Sequence, residues 1–256
     1  MISDEDVKQL FLNGHSFLAN QNNNGPLLTQ FYRGRLPDNW ANQPPGACSR
    51  HMALFKHFNI IPKYCFNCYK VIIEPRTVIE LFKIMVIFEK VVFPNDNTRK
   101  CLVEGRPQIT GTYKGMVYCR SIEEGEEMIQ LLQPILSDEV SNNIPIALKR
   151  GCSEYALSYP AYAQIKQGAT PMEYKSEWQE YEDRADKSAV VNKIPNAKDT
   201  HNSPAYVLDD YKVMLTWLKY AATIGDNSYL KISGATLQPF QGLTRPTPFQ
   251  SLGDEE

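Results

Sequence analysis

An α+β fold is what the sequence predicts, on three observations. Between residues 64 and 155, short apolar runs rich in β-branched residues alternate with runs of helical period in the order β-α-β-β-α-β. The second helical run in that stretch starts at a capping box, Ser121 with Glu124. The flanks on either side have helical rather than strand periodicity. The economical arrangement for this order is a ferredoxin-like (split β-α-β) sandwich: a four-stranded antiparallel sheet with two helices on one face, here with N- and C-terminal helical extensions.

The elements follow in order. Ser3 and Asp6 have the spacing of a reciprocal cap, and Val7, Leu10, Phe11 and Phe17 recur at helical intervals, so a helix is expected over residues 4–19. Residues 20–26 and 36–46 are polar or proline-punctuated and read as loops. CSRHMALFKHF, from Cys48, has helical spacing and places Cys48 and His51 at i and i+3, on one face. CYKVIIEP reads as the first strand and ends at Pro75. RTVIELFKIMVIFEKVV reads as a long apolar helix, and RKCLVEGRP and GMVYCRS as a pair of strands. Ser121 with Glu124 caps a helix running to about residue 136, and IPIALKRG supplies the last strand. Thr170-Pro171-Met172-Glu173 combines a capping box with proline at the first helical position, and a further helix is expected over 207–224. The organisation expected is an N-terminal helical extension (1–63), the sheet-bearing core (64–155), a C-terminal helical extension (156–233) and an extended tail (234–256).

Composition narrows the function. Lys plus Arg number 27 against 29 Asp plus Glu, so there is no global electrostatic footprint for nucleic acid, and any anion site must be local. The N-terminus is acidic where a secretory signal would be basic, and the apolar stretch 77–93 carries Glu80, Lys83, Glu89 and Lys90. A cytoplasmic protein without a membrane span is expected, with its six cysteines as thiols or ligands rather than disulfides. No G-x-S-x-G, H-E-x-x-H or P-loop pattern occurs.

The soft ligands are the strongest functional signal. Cys48, His51, Cys65 and Cys68 write C-x2-H-x13-C-x2-C, two pairs able to close a tetrahedral shell around zinc. The split topology suggests an alternative set. Cys68, Cys101, Cys119 and Cys152 would stand near one end of the sheet, where they could hold zinc or an iron–sulfur cluster. In that reading, Val103 opposite Val117 places Cys101 opposite Cys119. These two could equally be small core residues.

Arg99, Lys100, Arg120, Lys149 and Arg150 lie within two residues of a cysteine and form a candidate basic site. It would suit an anionic small molecule, a nucleotide or nucleic acid, and Cys152 is its candidate reactive thiol. Tyrosines 155, 159 and 162, with Tyr174, Trp178 and Tyr181, could form core, stack bases, or join the apolar helix as a homo-oligomer surface. The expected function is thus a metal-stabilised, zinc-containing binding or regulatory module with a basic, cysteine-rich site. The alternatives are a metal- or cysteine-dependent enzyme acting on an anionic substrate, and a metal-free protein-interaction module.

Overall fold

The computed structural model describes residues 2–18, 28–34, 47–106, 109–165, 170–187 and 205–240. In chain order the regular elements are α1 (Asp4–Leu18), β1 (Gln30–Arg33), α2 (Ala47–Phe58), β2 (Tyr69–Ile73), α3 (Val78–Lys90), β3 (Arg99–Val103), β4 (Tyr113–Cys119), α4 (Ile122–Glu139), β5 (Ile146–Arg150), α5 (Ser153–Ser158), α6 (Gln179–Lys187), α7 (Leu208–Ile224) and α8 (Leu230–Ser233). Short 3-10 turns join several of them. The fold is mixed α+β around one antiparallel sheet in the order β1-β3-β4-β2-β5.

That sheet has five strands, one more than expected. The four strands read from the sequence keep the order fourth-first-third-second, and β1 adds itself to the outer edge of β3, pairing Phe31 with Cys101 and Arg33 with Arg99. β1 is held by its own charge. Arg33, 2% exposed, makes a bidentate pair with Asp210 of α7 (3.1 and 2.6 Å) and stands 2.8 Å from Glu89 of α3. Trp217 of α7 donates to the carbonyl of Thr29 just before the strand.

Period-2 alternation gives the sheet two different faces. Val71, Ile73, Cys101, Val103, Tyr113, Val117 and Cys119 point to the helices and join the main core. α3 lies over β3 and β4, and α4 over β2, β4 and β5. Both start at satisfied caps: Thr77 and Glu80 form a reciprocal box, and Ser121 accepts from the Glu124 N–H. Gly115 lets α3 approach, since a Cβ there would stand 2.8 Å from Ile84. α1, capped by Ser3 and Asp6, packs with α7 and α8 along the same core.

A second, aromatic core lies beside the N-terminal end of β2. Leu54 of α2, Ile60, Ile61, Cys65 and Phe66 meet Tyr155, Tyr162, Trp178 and Ala185 there. Phe66 is ringed edge-on by Tyr162 and Tyr174 at 5.4 and 5.7 Å. Arg50 of α2 ties this unit to α6 through Glu182 and Asp186, at 3.0 and 2.6 Å. The tyrosines at 155 and 162 are therefore core residues, whereas Tyr181 is 38% exposed.

Two local expectations are corrected. The helix expected to open at Thr170 starts later, with a 3-10 turn at Ser176–Trp178 followed by α6; residues 170–175 stay irregular, and Tyr174 packs on Phe66 and Trp178. The hairpin register also differs. Val103 faces Tyr113, Cys101 faces Gly115, and Arg99 faces Val117. The loops at 20–26 and 36–46, and the tail beyond residue 240, lie outside the described residues.

Candidate functional site

The face of the sheet turned away from α3 and α4 is charged. Even-numbered positions on β2, β3 and β4 and the residues just beyond them put Lys70, Glu74, Lys100, Glu104, Lys114 and Tyr118 on this face. Lys149 of β5, opposite Lys70, joins them. Their apolar companions are Ile72, Leu102 and Met116, a small separate cluster. Over this face lies a basin of about 500 Å³. Its floor includes Lys70, Lys100, Leu102, Met116 and Tyr118. Thr216 and Tyr220 of α7, Arg106, Phe240 and the Cys152–Glu154 turn line its sides. The volume falls in the ordinary range for small-molecule sites.

Most charges around the basin are matched. Glu104, 4% exposed, accepts from the Arg106 guanidinium at 2.8 Å and stands 3.6 Å from the Lys114 ammonium. Burial pushes the Glu104 carboxyl up, but its bonds to Arg106 win and hold it below the usual carboxylate range. Arg106 also reaches Glu154, and Lys149 stands 3.7 Å from Glu74.

Lys70 is the exception. It is only 7% exposed, lines the basin, and makes no hydrogen bond or ion pair among the described residues. Burial lowers its ammonium pKa; the neighbouring Cys152 thiol acts the other way, and the Lys100 charge lowers it further. Lys100 also has no ion pair among the described residues, and its Nζ lies 5.5 Å from the centre of the Tyr118 ring.

The five basic residues picked out by the sequence do not form one site. Lys100 enters the basin, and Lys149 lies on the same face beside Glu74. Arg99 turns to the helix face, donates to the Phe88 carbonyl and stacks 5.0 Å from Phe93. Arg150 donates to the carbonyls of Phe66 and Met172 and lies over Phe66 and Tyr162. Arg120 binds Glu124 through its backbone N–H, and its Nε is buried without a hydrogen-bond partner among the described residues. Neighbours along a strand point to opposite faces, so closeness in sequence to a cysteine does not gather these cations.

The thiols separate in the same way. Within the first ligand set, His51 is 5% exposed, and its Nδ1 lies 3.4 Å from the Cys65 Sγ, which is 3.5 Å from the Tyr155 hydroxyl. Burial, helped by the Arg50 charge, lowers the His51 pKa to about 4, and burial raises the Cys65 thiol well above its ordinary value. The His51 Nε2 is buried without a partner among the described residues. Cys48 is exposed on the first turn of α2, while Cys68 is half-buried just before β2, its thiol raised by burial and by the nearby Cys152 and Cys48. Among the described residues, no three His, Cys, Asp or Glu side chains form a group placed to hold a metal ion.

The observed register separates the alternative set. Cys119 faces Tyr69, while Cys101 faces Gly115 in the row of Ile73. These rows are four residues apart, about 13 Å along the strands. Cys101 and Cys119 are 0% and 1% exposed within the helix-side core. The register thus removes the Cys101–Cys119 pairing, while both residues take the core position that the sequence also suggests. Cys152, the candidate reactive thiol, is half-buried and lines the basin.

Sequence reasoning missed Lys70, the residue that most distinguishes the site. Its signal was present: a single lysine inside the apolar strand YKVII, on a strand central enough for both faces to be covered. No family model, curated protein or solved structure matches this chain.

Proposed function

We propose that the protein is a binding module that takes an anionic small molecule into the basin on the open face of its sheet. The observation that carries this reading is Lys70, a nearly buried lysine that, like Lys100 beside it, has no carboxylate partner among the described residues and lines the cavity. A buried charge without a counter-charge is unfavourable, and a phosphate or carboxylate entering the basin would supply one. Leu102, Met116, Tyr220 and Phe240 offer apolar and aromatic surface to the rest of such a molecule. The basin is a concavity rather than a stripe, which favours a compact ligand over a nucleic-acid strand.

The scaffold in this reading is a ferredoxin-like unit widened by β1, working in a reducing compartment that keeps the six cysteines as thiols. The test is calorimetric titration with inorganic phosphate, AMP, 3-phosphoglycerate and a short single-stranded RNA. One small anion is expected to bind at 1:1. Lys70→Met should weaken it at least about tenfold, while Lys56→Met on the exposed side of α2 leaves it unchanged. Absence of binding by all small anions, or binding indifferent to Lys70, overturns the reading.

A second reading keeps zinc at Cys48, His51, Cys65 and Cys68, because the Nδ1–Sγ contact already joins one residue from each pair. His51 is a neutral imidazole at pH 7, the state a metal requires; the buried thiols would have to release protons to the ion. Elemental analysis decides it. Stoichiometric zinc lost in Cys65→Ser supports this reading, and metal-free folded protein overturns it.

A further inference from the structure

Lys70 has features beyond those of an anion-binding residue. The side chain springs from the second residue of β2, an interior strand, so its Cα is fixed by ladders on both sides, to β4 through Tyr118 and to β5 through Lys149. It is 7% exposed and opens onto a cavity large enough for a small molecule. No carboxylate among the described residues holds its charge, although Glu74, Glu104 and Glu154 stand around the same face: Glu74 faces Lys149, while Glu104 and Glu154 share Arg106 and Glu104 also faces Lys114. Unlike the paired cations around it, its amine is held by no carboxylate among the described residues and opens onto the cavity, where an entering carbonyl would meet it as a nucleophile.

We propose that Lys70 forms an imine with an aldehyde or ketone that carries an anionic group, the anion resting against Lys100. The inference deepens the binding reading above and rests on it for the role of Lys100. The Nζ lone pair forms a bond to the carbonyl carbon, the two amine protons leave with the carbonyl oxygen as water, and a C=N bond remains. No oxidant, reductant or metal enters the balance. Tyr118, directly opposite Lys70 on β4, places a phenol on the same side of the sheet. The apolar floor of Leu102 and Met116 limits the water that would return the imine to carbonyl and amine.

The test uses pyridoxal 5′-phosphate, which presents an aldehyde and a phosphate on one small ring, at a concentration equal to that of the full-length protein. Borohydride reduction then fixes any imine for intact-mass measurement and peptide mapping. The expected result is a single adduct on Lys70, formed at least about tenfold faster than on any other lysine, absent in Lys70→Met and slowed in Lys100→Met. Inorganic phosphate should compete. Lys70→Arg serves as a second variant that retains the charge while removing the chemistry. Adducts spread evenly over exposed lysines, or no adduct, overturn the inference. If phosphate still binds in a Lys70-dependent manner in that case, imine formation falls and anion binding stands; if neither occurs, both fall.

Discussion

The two faces of the sheet place buried cations in opposite circumstances. On the helix side, Arg33 of β1 is 2% exposed and meets Asp210 and Glu89, so its charge is matched by two carboxylates within 3.1 Å. On the open side, Lys70 of β2 is nearly as buried and meets no carboxylate among the described residues. Arg33 joins β1 to α3 and α7 and works as a fastener. Lys70 fastens nothing among the described residues, which is the pattern expected of a group kept for something outside the chain. In the proposed reading, then, burial alone does not distinguish structural from functional charge; a counter-charge does.

The sharpest way to break this comparison is to exchange both cations for methionine. Arg33→Met strands the Asp210 and Glu89 carboxylates in a largely buried place, and a loss of about 3–5 kcal/mol in chemical denaturation is expected. A change below 1 kcal/mol would mean the pair contributes little to holding β1. A second, smaller effect concerns His51, whose folded pKa of about 4 lies below its ordinary 6.5. Between those values the unfolded chain binds the proton and the folded one does not. Stability is therefore full above pH 6.5 and falls as pH drops towards 4, by about 3 kcal/mol from this group. Denaturation midpoints across that window should slope less steeply in His51→Gln, and an unchanged slope would show that His51 can be protonated in the folded protein.

The smallest effect has the opposite sign. Lys70→Met removes an unmatched buried charge and should stabilise the free protein by about 1–2 kcal/mol at pH 7. Because folded Lys70 loses its proton at a lower pH than the unfolded chain does, its cost fades as pH rises towards 10.5, and the gain in the variant should shrink there. Destabilisation by this substitution would instead mean that Lys70 is a structural group like Arg33.

The architecture was legible where local chemistry decides it. Caps at Ser3 and Ser121 located α1 and α4, the long apolar run located α3, and the apolar strands kept their order in the sheet. β1 was not legible, because QFYR is four residues long and is held by Asp210 and Trp217, far away in sequence. The cap at Thr170 was overridden by tertiary packing, since Tyr174 and Trp178 go to Phe66 instead of continuing a helix. Matching valine to valine misplaced the β3–β4 register by several residues, and with it the supposed cysteine pair. The site was half-legible. Lys100, Lys149 and Cys152 do reach the open face or its basin, but which of two adjacent basic residues faces which side follows from strand parity, and the value of Lys70 follows from the absence of a partner in three dimensions.

The proposed anion site also makes its ligand discoverable before the ligand's chemistry is known. A molecule that supplies the missing counter-charge binds the folded chain and not the unfolded one, so by mass action it raises the melting temperature, with about 2.7 kcal/mol available at a hundred times its dissociation constant. A thermal-shift screen of cell-derived anions can therefore sort candidates by the heat the fold withstands, and the same screen on Lys70→Met shows which of them act through the basin.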